Sequence, residues 1–600
     1  MSHEAAAPAL AEQPHRPTRA EAALALAGLA LMSALPLAEI AGRKVLGRGI
    51  PGSIPIVQHL TLWITFIGAG MAAASDRLLA LSTATFLPQR VGRYARLVTS
   101  ALGAGAAVWL AIACVRFIDV ERAAGEMAAW GVPVWVAVLV MPAGFAVMAA
   151  RMIRRGAAST RGRCAGVVVA ALPLVFAWTG VEGLALPVGV AIAAAAALGM
   201  PIFAALGIAA LLMFASDAVP LASAPAQIYR LSASPLLPAL PLFTLGGYLF
   251  TEGGASRRLM RVFTALVGWM PGGLAMVVVL LLAFFTPFTG ASGVTILSMG
   301  GLILPMLVKA RYPENTAMGL VTVSGSIGIL FAPSLPVILY GIYARTAIDE
   351  LFLAGLIPGF ILIAAVAAWA AWRGWRAGAV TTPFRAKEAA AALWGAKWEL
   401  ALPAVVLAGI AGGFATLVEA AALTVLYAFV IEVWVYRELG VKRDLPRVAA
   451  ECATLVGGFL VIVGAAFAFT GYLIQAEVPM LILAWVKAHI HSPWVFLLAL
   501  NGFLLVVGAV MDIYSAILVI VPLIAPIGVA YGIDPVHLGI VFLANMELGY
   551  LMPPMGENLF LSAYRFQKPL ARVYLSTVPY SLMLLAAVLL ITYLPLLRRP

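Results

Sequence analysis

The stretch "NMELGYLMPPMGENLF", Asn545–Phe560, interrupts one of the long apolar segments of the chain. Two consecutive prolines, Pro553 and Pro554, lie between two glycines, Gly549 and Gly556. Proline lacks a backbone N–H donor and clashes with the preceding helical turn, so a helix that enters this stretch ends within it. The stretch therefore predicts a broken helix, and its meaning depends on the class of protein that contains it.

The composition places the chain among integral membrane proteins. Of its 600 residues, 63% are hydrophobic and only 11% are charged, and the mean hydropathy is +1.03, whereas soluble domains are about 25% charged. Apolar runs close to the ~20 residues of a spanning helix recur along the sequence, and strand-length alternation is absent. We predict an all-α integral membrane protein with about 14–16 spans, helical hairpins included.

The net charge of +12 does not indicate a nucleic-acid partner, because the basic residues lie in short loops between apolar runs. The two most basic loops contain Arg77, Arg90, Arg93 and Arg96, and Arg151, Arg154, Arg155, Arg161 and Arg163. The positive-inside rule makes both loops cytoplasmic, and the N-terminus with them. Arg43, Lys44 and Arg48 depart from this pattern, and we expect them at a membrane surface.

Four segments are predicted. Residues 1–20 form a disordered cytoplasmic tail without the apolar core of a signal peptide. Residues 21–150 form a four-helix membrane module, and residues 151–184 form a basic loop followed by a linker span. Residues 185–600 form a large module that is rich in glycine and proline, with two repeats at about 240–370 and 400–595.

The repeat is visible in a second interruption, 221 positions before the first. When "IGILFAPSLPVILY" (Ile327–Tyr340) is set against "LGYLMPPMGENLFL" (Leu548–Leu561), Pro333 matches Pro554 (554 − 333). The same offset lays "FTGASGVTIL" over "AVMDIYSAIL". A constant offset over roughly 50 residues predicts two structurally related halves.

Paired interruptions at corresponding places in two halves are typical of the binding site of a secondary transporter. A helix that stops inside the bilayer frees carbonyl groups, which suit Na⁺, and N–H groups, which suit a carboxylate. The alternative is that each proline only kinks a helix or allows close packing. The matched register and the neighbouring polar residues favour a site.

These stretches resemble the tripartite ATP-independent periplasmic (TRAP) transporters, with the small permease subunit fused in front of the large one. The resemblance rests on "PLFTLGGYLFTEGGASRRL" (Pro241–Leu259), "PSLPVILYG" (Pro333–Gly341), "LFLAGLIPG" (Leu351–Gly359), "GIDPVHLGIVFLANMELGYLMPPMGENLF" (Gly532–Phe560) and "ITYLP" (Ile591–Pro595). For the small module it rests on "HLTLWITFIGAGMAAASDRLLAL" (His59–Leu81).

The resemblance implies Na⁺-coupled import of an organic acid or similar anion across the bacterial inner membrane. It also implies a periplasmic substrate-binding protein as partner, inverted repeats and an elevator mechanism. One departure concerns the first hairpin, where Thr289-Gly290-Ala291 replaces the usual Ser-Gly-Ser of the family.

Two overlapping sets of candidate residues follow from the interruptions, the repeat and the resemblance. The predicted Na⁺ ligands are Thr289, Ser292, Ser324, Ser326, Gly328, Pro333, Asp512, Ser515, Asn545, Glu547, Gly549 and Pro554. The predicted substrate-binding residues are Thr289, Gly290, Ala291, Ser292, Ser334, Pro336, Asp512, Glu557, Asn558 and Arg565.

Each charged candidate has an ordinary structural alternative. Asp512 is costly inside a span, by at least ~2.5 kcal/mol on insertion scales, and is either a Na⁺ ligand or a helix cap. Glu547 and Glu557 either line the site or cap the half-helices. Arg565 either attracts a carboxylate or lies at a membrane surface.

Enzyme classes find no support, because the chain has no G-x-x-x-x-G-K-[ST] loop and no H-E-x-x-H or G-x-S-x-G motif. Its three cysteines are scattered and predict neither disulfides nor a metal site. We therefore predict no cofactor other than Na⁺ as coupling ion. Two other functions stay open: an ion-coupled anion transporter that needs no binding protein, and a membrane-anchored electron-transfer or assembly subunit.

Overall fold

The computed structural model describes residues 18–78, 80, 89–156, 166–171, 185–217, 219–289, 292–413, 415–511, 513–553 and 556–597. Most of the predicted tail, the end of the basic loop and most of the linker span lie outside these residues. The helices of the N-terminal part are α1 (Arg19–Ala41), α2 (Ser53–Ser75), α3 (Gln89–Ala124), α4 (Val134–Val138), α5 (Val140–Gly156), α6 (Ala185–Ala197), α7 (Ile202–Ser216) and α8 (Ser223–Ala233).

The remaining helices are α9 (Ala239–Glu252), α10 (Ala255–Val267), α11 (Gly273–Thr289), α12 (Ser292–Lys309), α13 (Glu314–Ser324), α14 (Leu335–Ala344), α15 (Ile348–Arg376), α16 (Ala386–Gly395), α17 (Lys397–Ala411), α18 (Leu417–Phe429), α19 (Leu445–Gln475), α20 (Val478–His489), α21 (Pro493–Val510), α22 (Ile513–Ala530), α23 (Pro535–Gly549), α24 (Glu557–Phe566) and α25 (Leu570–Leu597). A two-stranded hairpin, β1 (Met127–Ala129) and β2 (Val132–Pro133), is the one sheet in the described part of the chain.

The predicted class, an all-α membrane protein, is confirmed. The described residues contain nine helices that are long and apolar enough to cross a membrane, or up to twelve if each strongly bent pair of helices counts as one span. Four shorter apolar helices, Ile202–Ser216, Gly273–Pro287, Met299–Lys309 and Pro535–Gly549, add to these. Half-length helices of this kind are what interrupted spans and hairpins produce.

The N-terminal helices form a small bundle in which α3 packs on α5, and α2 packs on both α1 and α5. Its core contains the edge-to-face pair Phe66 and Phe145, with ring centroids 4.9 Å apart. Trp63 donates its indole N–H to the carbonyl oxygen of Ala137 at 3.0 Å. We call this bundle, residues 19–156, the small module.

The small module is joined to the rest of the molecule through backbone-to-backbone packing of α2 on α19. A Cβ atom added at Gly68 would collide with the carbonyl oxygen of Ala453, and one added at Gly457 would lie 2.5 Å from the Gly68 Cα. Small residues allow such close approach, and in lipid this approach replaces the hydrophobic effect as the source of helix association. We call the small module together with α9, α18 and α19 the scaffold.

A charged contact adds to this interface. Arg43, which follows α1 in a π-helical turn, pairs with Glu419 of the large module. Glu39 accepts hydrogen bonds from the Ile50 N–H at 2.6 Å and the Ser53 hydroxyl at 2.9 Å. A cavity of about 240 Å³ between the modules is lined by Arg43, Glu39, Ser53 and Glu419, among others. Arg43 is thus half-exposed and paired.

The 221-residue repeat is present in the helices themselves. Helices α12 and α22 begin at Ser292 and Ile513, and α13 and α23 begin at Glu314 and Pro535, 221 residues apart in both pairs (513 − 292, 535 − 314). The starts of α11 and α21, Gly273 and Pro493, are 220 residues apart (493 − 273). The large module is therefore built from two runs of helices with the same order and nearly the same lengths.

The contact of α2 with α19 gives a first prediction. Gly68→Ala should lower the free energy of unfolding by about 1–3 kcal/mol, because its Cβ has no space beside the Ala453 carbonyl. Gly502→Ala is the matched control, since no atom lies within 4 Å of a Cβ at that position of α21. Thermal unfolding in detergent measures both, and equal unfolding temperatures would contradict the packing described above.

Candidate binding site

Two broken helices lie at the centre of the large module. Helix α13 ends at Ser324, and a 3₁₀ turn over Ile327–Leu330 precedes α14, so the axis bends by 45°. We call residues 325–334 break 1. Helix α23 ends at Gly549 and α24 begins at Glu557, and residues 550–556 are break 2. The prediction of two interrupted helices is confirmed.

Two helical hairpins pack against these breaks. Hairpin 1 consists of α11 and α12, and hairpin 2 consists of α21 and α22. The first arm of each hairpin packs on the broken helix of its own repeat: α11 on α13 and break 1, and α21 on α23. The second arms cross over, because α12 packs on α24 and α22 packs on α14. Each hairpin is therefore supported by both repeats.

Glycines at equivalent positions allow the first arms to approach the breaks. A Cβ atom at Gly328 in break 1 would collide with the carbonyl oxygen of Ala283 and lie 2.8 Å from Pro287 of α11. A Cβ atom at Gly549 would lie 2.6 Å from the Cα of Gly508 in α21. Both predicted glycines are thus used for close contact between main chains.

A narrow cavity of about 10 Å³, room for roughly one water molecule, lies where the hairpins and breaks meet. It is lined by Thr286, Ser292, Ile329, Ser334, Pro336, Ile513, Tyr514, Tyr550 and Glu557. Four helices begin among these residues: α12 at Ser292, α22 at Ile513, α14 beside Ser334 and α24 at Glu557. The positive ends of four helix dipoles therefore surround one small space.

Two hydroxyl groups fasten the breaks to the hairpins. The Tyr550 hydroxyl accepts a hydrogen bond from the Ile513 N–H at 2.7 Å and so satisfies one of the free donors at the start of α22. The Thr286 hydroxyl of α11 lies 2.9 Å from the carbonyl oxygen of Gly325 and 2.8 Å from that of Leu282. The two contacts hold the walls of the cavity together from both repeats.

Several buried polar atoms near the breaks have no hydrogen-bond partner among the described residues. They are the hydroxyl oxygens of Ser324 and Ser562, the amide oxygens of Asn545 and Asn558, and both carboxylate oxygens of Glu547. The Glu547 side chain is almost completely buried, with 1% of the residue exposed. A buried polar atom without a partner is costly, and a buried charge far more so. These atoms are therefore candidates for ligands of an ion.

Asn545 is held by a polar cluster inside the large module. Its amide N–H₂ donates to the Asn501 side-chain oxygen at 2.7 Å and to the Val541 carbonyl at 2.8 Å. The Thr592 hydroxyl donates to the same Asn501 oxygen at 3.2 Å. The amide orientation follows from these bonds, and they leave the Asn545 side-chain oxygen as the atom without a partner.

The predicted residues fall into three groups. Ser292, Ser334, Pro336 and Glu557 line the cavity. Ser324, Ser326, Gly328, Pro333, Ser515, Asn545, Glu547, Gly549 and Asn558 lie on the broken helices, the breaks and the hairpin that form its walls. Gly290, Ala291, Asp512 and Pro554 lie outside the described residues, and Thr289 is the last residue of α11.

Arg565 is placed differently from the other candidates. It lies eight residues after Glu557 on α24, about 12 Å along the helix axis, and its guanidinium group lies against Gly301 of α12. It is exposed and is not among the residues that line the cavity. The reason is the direction of α24, which leads away from the break at which it begins.

Three polar residues of the cavity wall were not predicted: Thr286, Tyr514 and Tyr550. Thr286 lies within an apolar run, where a single hydroxyl is an ordinary helix residue. Tyr550 lies inside the stretch that predicts the break, but its use as an acceptor depends on the position of hairpin 2. The offset pairs break with break and hairpin with hairpin, so no pattern in the sequence places Tyr550 beside hairpin 2.

Comparison with known families identifies both modules. Residues 189–597 match the sequence model of the tripartite ATP-independent periplasmic transporter, DctM component. Residues 32–162 match that of the tripartite ATP-independent periplasmic transporters, DctQ component.

Individual relatives agree with these matches. The chain is 33% identical over 386 residues to a C4-dicarboxylate TRAP transporter large permease protein of Pseudomonas aeruginosa. This alignment covers 64% of this chain and 90% of the relative. It is 32% identical over 361 residues to the isethionate TRAP transporter permease protein DctMQ of Oleidesulfovibrio alaskensis. This alignment covers 60% of this chain and 56% of the relative.

A comparison with solved structures finds the YdaH transporter of Alcanivorax borkumensis. The match covers 60% of this chain and 86% of that chain, with a TM-score of 0.46 and 17% identity.

The contact of Tyr550 with hairpin 2 gives a second prediction. Tyr550→Phe should cost about 1–3 kcal/mol of local stability, because it leaves the buried Ile513 N–H without this acceptor. Hydrogen exchange should become faster at the amides that begin α22. Tyr593→Phe is the control, since its exposed hydroxyl bonds the Trp494 carbonyl at 3.2 Å. Unchanged exchange in α22 would contradict the role of the Tyr550 hydroxyl.

Proposed function

The chain belongs to the tripartite ATP-independent periplasmic transporters and contains their small and large membrane components in one chain, and from this premise we propose that it imports an organic acid or similar anionic solute together with Na⁺. The relatives are named as transporter permeases, not as enzymes. The proposal concerns the substrate class, the coupling ion and the movement of the site.

One observation supports an anionic substrate above the others. The narrow cavity is lined by the first residues of four helices, two from the hairpins and two from the half-helices. Free N–H groups and the positive dipole ends at helix starts favour a carboxylate. No Lys or Arg lines the cavity among the described residues, so helix starts and hydroxyl groups would provide the recognition. The names of relatives, which include C4-dicarboxylate and isethionate, agree with a small organic anion.

Na⁺ coupling is supported by the matched positions of the buried oxygen atoms without partners. Ser324 in the first repeat corresponds to Asn545 in the second (545 − 324 is 221), and both side-chain oxygens are unpaired among the described residues. Ser326 corresponds to Glu547 by the same offset. Neutral oxygen atoms and a carboxylate suit Na⁺, and a cation would remove the cost of a buried unpaired carboxylate. We propose one Na⁺ site beside each break.

An elevator movement is supported by the small size of the cavity and by the crossed hairpins. A cavity of about 10 Å³ does not hold an organic acid, so the hairpin and break helices that line it must move apart for substrate to enter. Because the second arms pack on half-helices of the other repeat, hairpins and breaks would move as one transport unit along the scaffold. Inverted repeats would let either hairpin open, one toward each side of the membrane.

The family and the basic loops also support a partner protein, a cellular location and an orientation in the membrane. Its description as tripartite and periplasmic supports a soluble binding protein that delivers the substrate and a location in the inner membrane. The basic loops after α2 and α5 support a cytoplasmic N-terminus.

Uptake into proteoliposomes tests the proposal. The purified chain is supplied with an inward Na⁺ gradient, and labelled C4-dicarboxylate and isethionate are presented with and without their cognate periplasmic binding proteins. Uptake that requires both Na⁺ and a binding protein supports the proposal. Uptake with Na⁺ alone supports the stand-alone anion transporter, and uptake that is unchanged when choline replaces Na⁺ contradicts Na⁺ coupling.

The assignment of Glu547 gives a prediction that does not depend on the substrate. Na⁺ at about a hundred times its Kd should stabilise the chain by about 2.7 kcal/mol relative to choline, and Glu547→Gln should remove most of this stabilisation, since the amide is neutral. Glu388→Gln is the control, because Glu388 is 62% exposed and pairs with Arg385 on the surface. Thermal unfolding measures both, and equal Na⁺ stabilisation of the two variants would exclude Glu547 as a ligand.

A further inference from the structure

Helix α10 is the connection between the scaffold and hairpin 1. The preceding helix, α9, packs on α18 and α19 of the scaffold, whereas α10 packs on α11, the first arm of hairpin 1, and on α16. The corresponding connection to hairpin 2 is α20, which lies between α19 and α21. We call α10 and α20 arm helix 1 and arm helix 2. Each arm helix joins one hairpin directly to a scaffold helix, so a displacement of that hairpin relative to the scaffold affects its arm helix.

One arginine in the first turn of arm helix 1, Arg258, fixes this helix to its neighbours through ion pairs. The Arg258 guanidinium group lies 2.7 Å from a Glu432 carboxylate oxygen and 2.8 Å from a Glu438 oxygen, and it also pairs with Glu399. The Tyr436 ring covers the same group, with its centroid 3.6 Å from the guanidinium carbon. Each of the three guanidinium nitrogen atoms therefore contacts a carboxylate oxygen.

The partners of Arg258 belong to two scaffold-side segments. Glu399 lies in the first turn of α17, and Glu432 and Tyr436 lie in and just after the π-helical turn that follows α18. The Tyr436 hydroxyl donates to the Gly395 carbonyl at 2.7 Å and joins the two segments. Arg258 thus fixes arm helix 1 to a surface that is itself cross-linked.

Three of the four charged side chains of the cluster are largely buried, and Glu438 is 30% exposed. The side chains of Glu399 and Glu432 are 1% and 0% exposed, and that of Arg258 is 14% exposed. Burial opposes the charge of the guanidinium group, but the hydrogen bond to Glu399 and the neighbouring carboxylates outweigh it, so the pKa of Arg258 is raised. A buried ion pair of this kind is strongly resistant to separation, because either partner alone would be an unpaired buried charge.

Two glycines before arm helix 1 are required by the same contact. A Cβ atom at Gly253 would collide with the Glu432 carboxylate, and one at Gly254 would collide with the Glu438 carboxylate. The sequence "EGGASRR", residues 252–258, therefore lets the main chain approach the acidic groups and then supplies the arginine that pairs with them. The glycines serve close packing here rather than flexibility.

Arm helix 2 has no equivalent of this anchor. The position 221 residues after Arg258 is Pro479 (479 − 258), and no ion pair involves a residue of Val478–His489 within the described part of the chain. Helix α20 also meets α21 at a sharp angle of 119°. The two arm helices, which join the hairpins to the scaffold, are therefore chemically unequal.

We propose that Arg258 is a positioning residue that holds arm helix 1 stationary on the scaffold, so that the transport unit moves about this fixed end while arm helix 2 follows the motion. The inference rests on the proposed function in assuming that the hairpins move relative to the scaffold. It adds that the two repeats, although alike in helix order, differ in their arm helices: arm helix 1 stays fixed on the scaffold, whereas arm helix 2 moves with the transport unit.

Distance measurements between spin labels test the anchor independently of transport. The three cysteines are replaced first, so that labels attach only at introduced cysteines. One label pair then joins Arg261 on arm helix 1 to Lys442, four residues after Glu438. A second pair joins Trp485 on arm helix 2 to Ser216 at the end of α7, which packs on the scaffold helix α19. All four positions are exposed. The first pair should give one narrow distance distribution in reconstituted protein, and the second pair a broad or divided one.

The anchor is removed without leaving a buried charge by combining Arg258→Met with Glu399→Gln and Glu432→Gln. The triple variant should broaden the distribution of the first label pair and lower the maximal rate of uptake about tenfold, with the half-saturating Na⁺ concentration unchanged. Arg257→Gln is the matched control, because the Arg257 side chain is 81% exposed and lies 3.4 Å from Glu438. It should leave both distributions and the uptake rate as they are.

The outcomes separate the anchor from the proposed function. A first label pair as broad as the second, a second pair as narrow as the first, or a triple variant with an unchanged first pair would each overturn the anchor. Absence of Na⁺-dependent uptake in the parent chain would instead contradict the proposed function, and the label distances would still decide whether arm helix 1 is fixed.

Discussion

The large module depends on one constraint: main-chain polar groups inside a membrane must find partners within the protein. A proline or a turn in a spanning helix releases such groups, and a single broken helix would leave them exposed to lipid. Here two breaks meet the starts of the second hairpin arms, and hydroxyl groups satisfy some of the released groups: Tyr550 accepts from the Ile513 N–H, and Thr286 contacts the Gly325 carbonyl. The cavity is the remaining space among these groups, and its polarity is a direct result of the breaks.

The second feature of the architecture is close approach of main chains without side chains between them. Gly328 and Gly549 allow it at the breaks, and Gly68 and Gly457 allow it between the small module and α19. In a membrane, where lipid is as apolar as leucine, such contacts and buried polar pairs replace the hydrophobic effect. The same chemistry therefore joins the scaffold internally and positions the hairpins against the breaks.

The sequence was sufficient to predict the helical membrane class, the two breaks and the 221-residue repeat, because proline, glycine and hydropathy act locally. It also indicated Ser292, Ser334 and Glu557, which follow directly from helix starts near the breaks. It could not indicate Tyr550 or the cluster around Arg258, since both depend on which helices cross. The prediction included Arg565 because this residue is close to break 2 in the sequence. In the structure it lies farther along α24, away from the cavity.

The crossed second arms have a consequence for how the chain is made. Helix α12 is synthesised early, but its packing partner α24 is near the C-terminal end, and no segment shorter than residues 273–566 contains hairpin 1 together with that partner. Contacts between such distant segments form late and slowly. The contact that completes the support of hairpin 1 therefore cannot form until almost the whole chain has been translated.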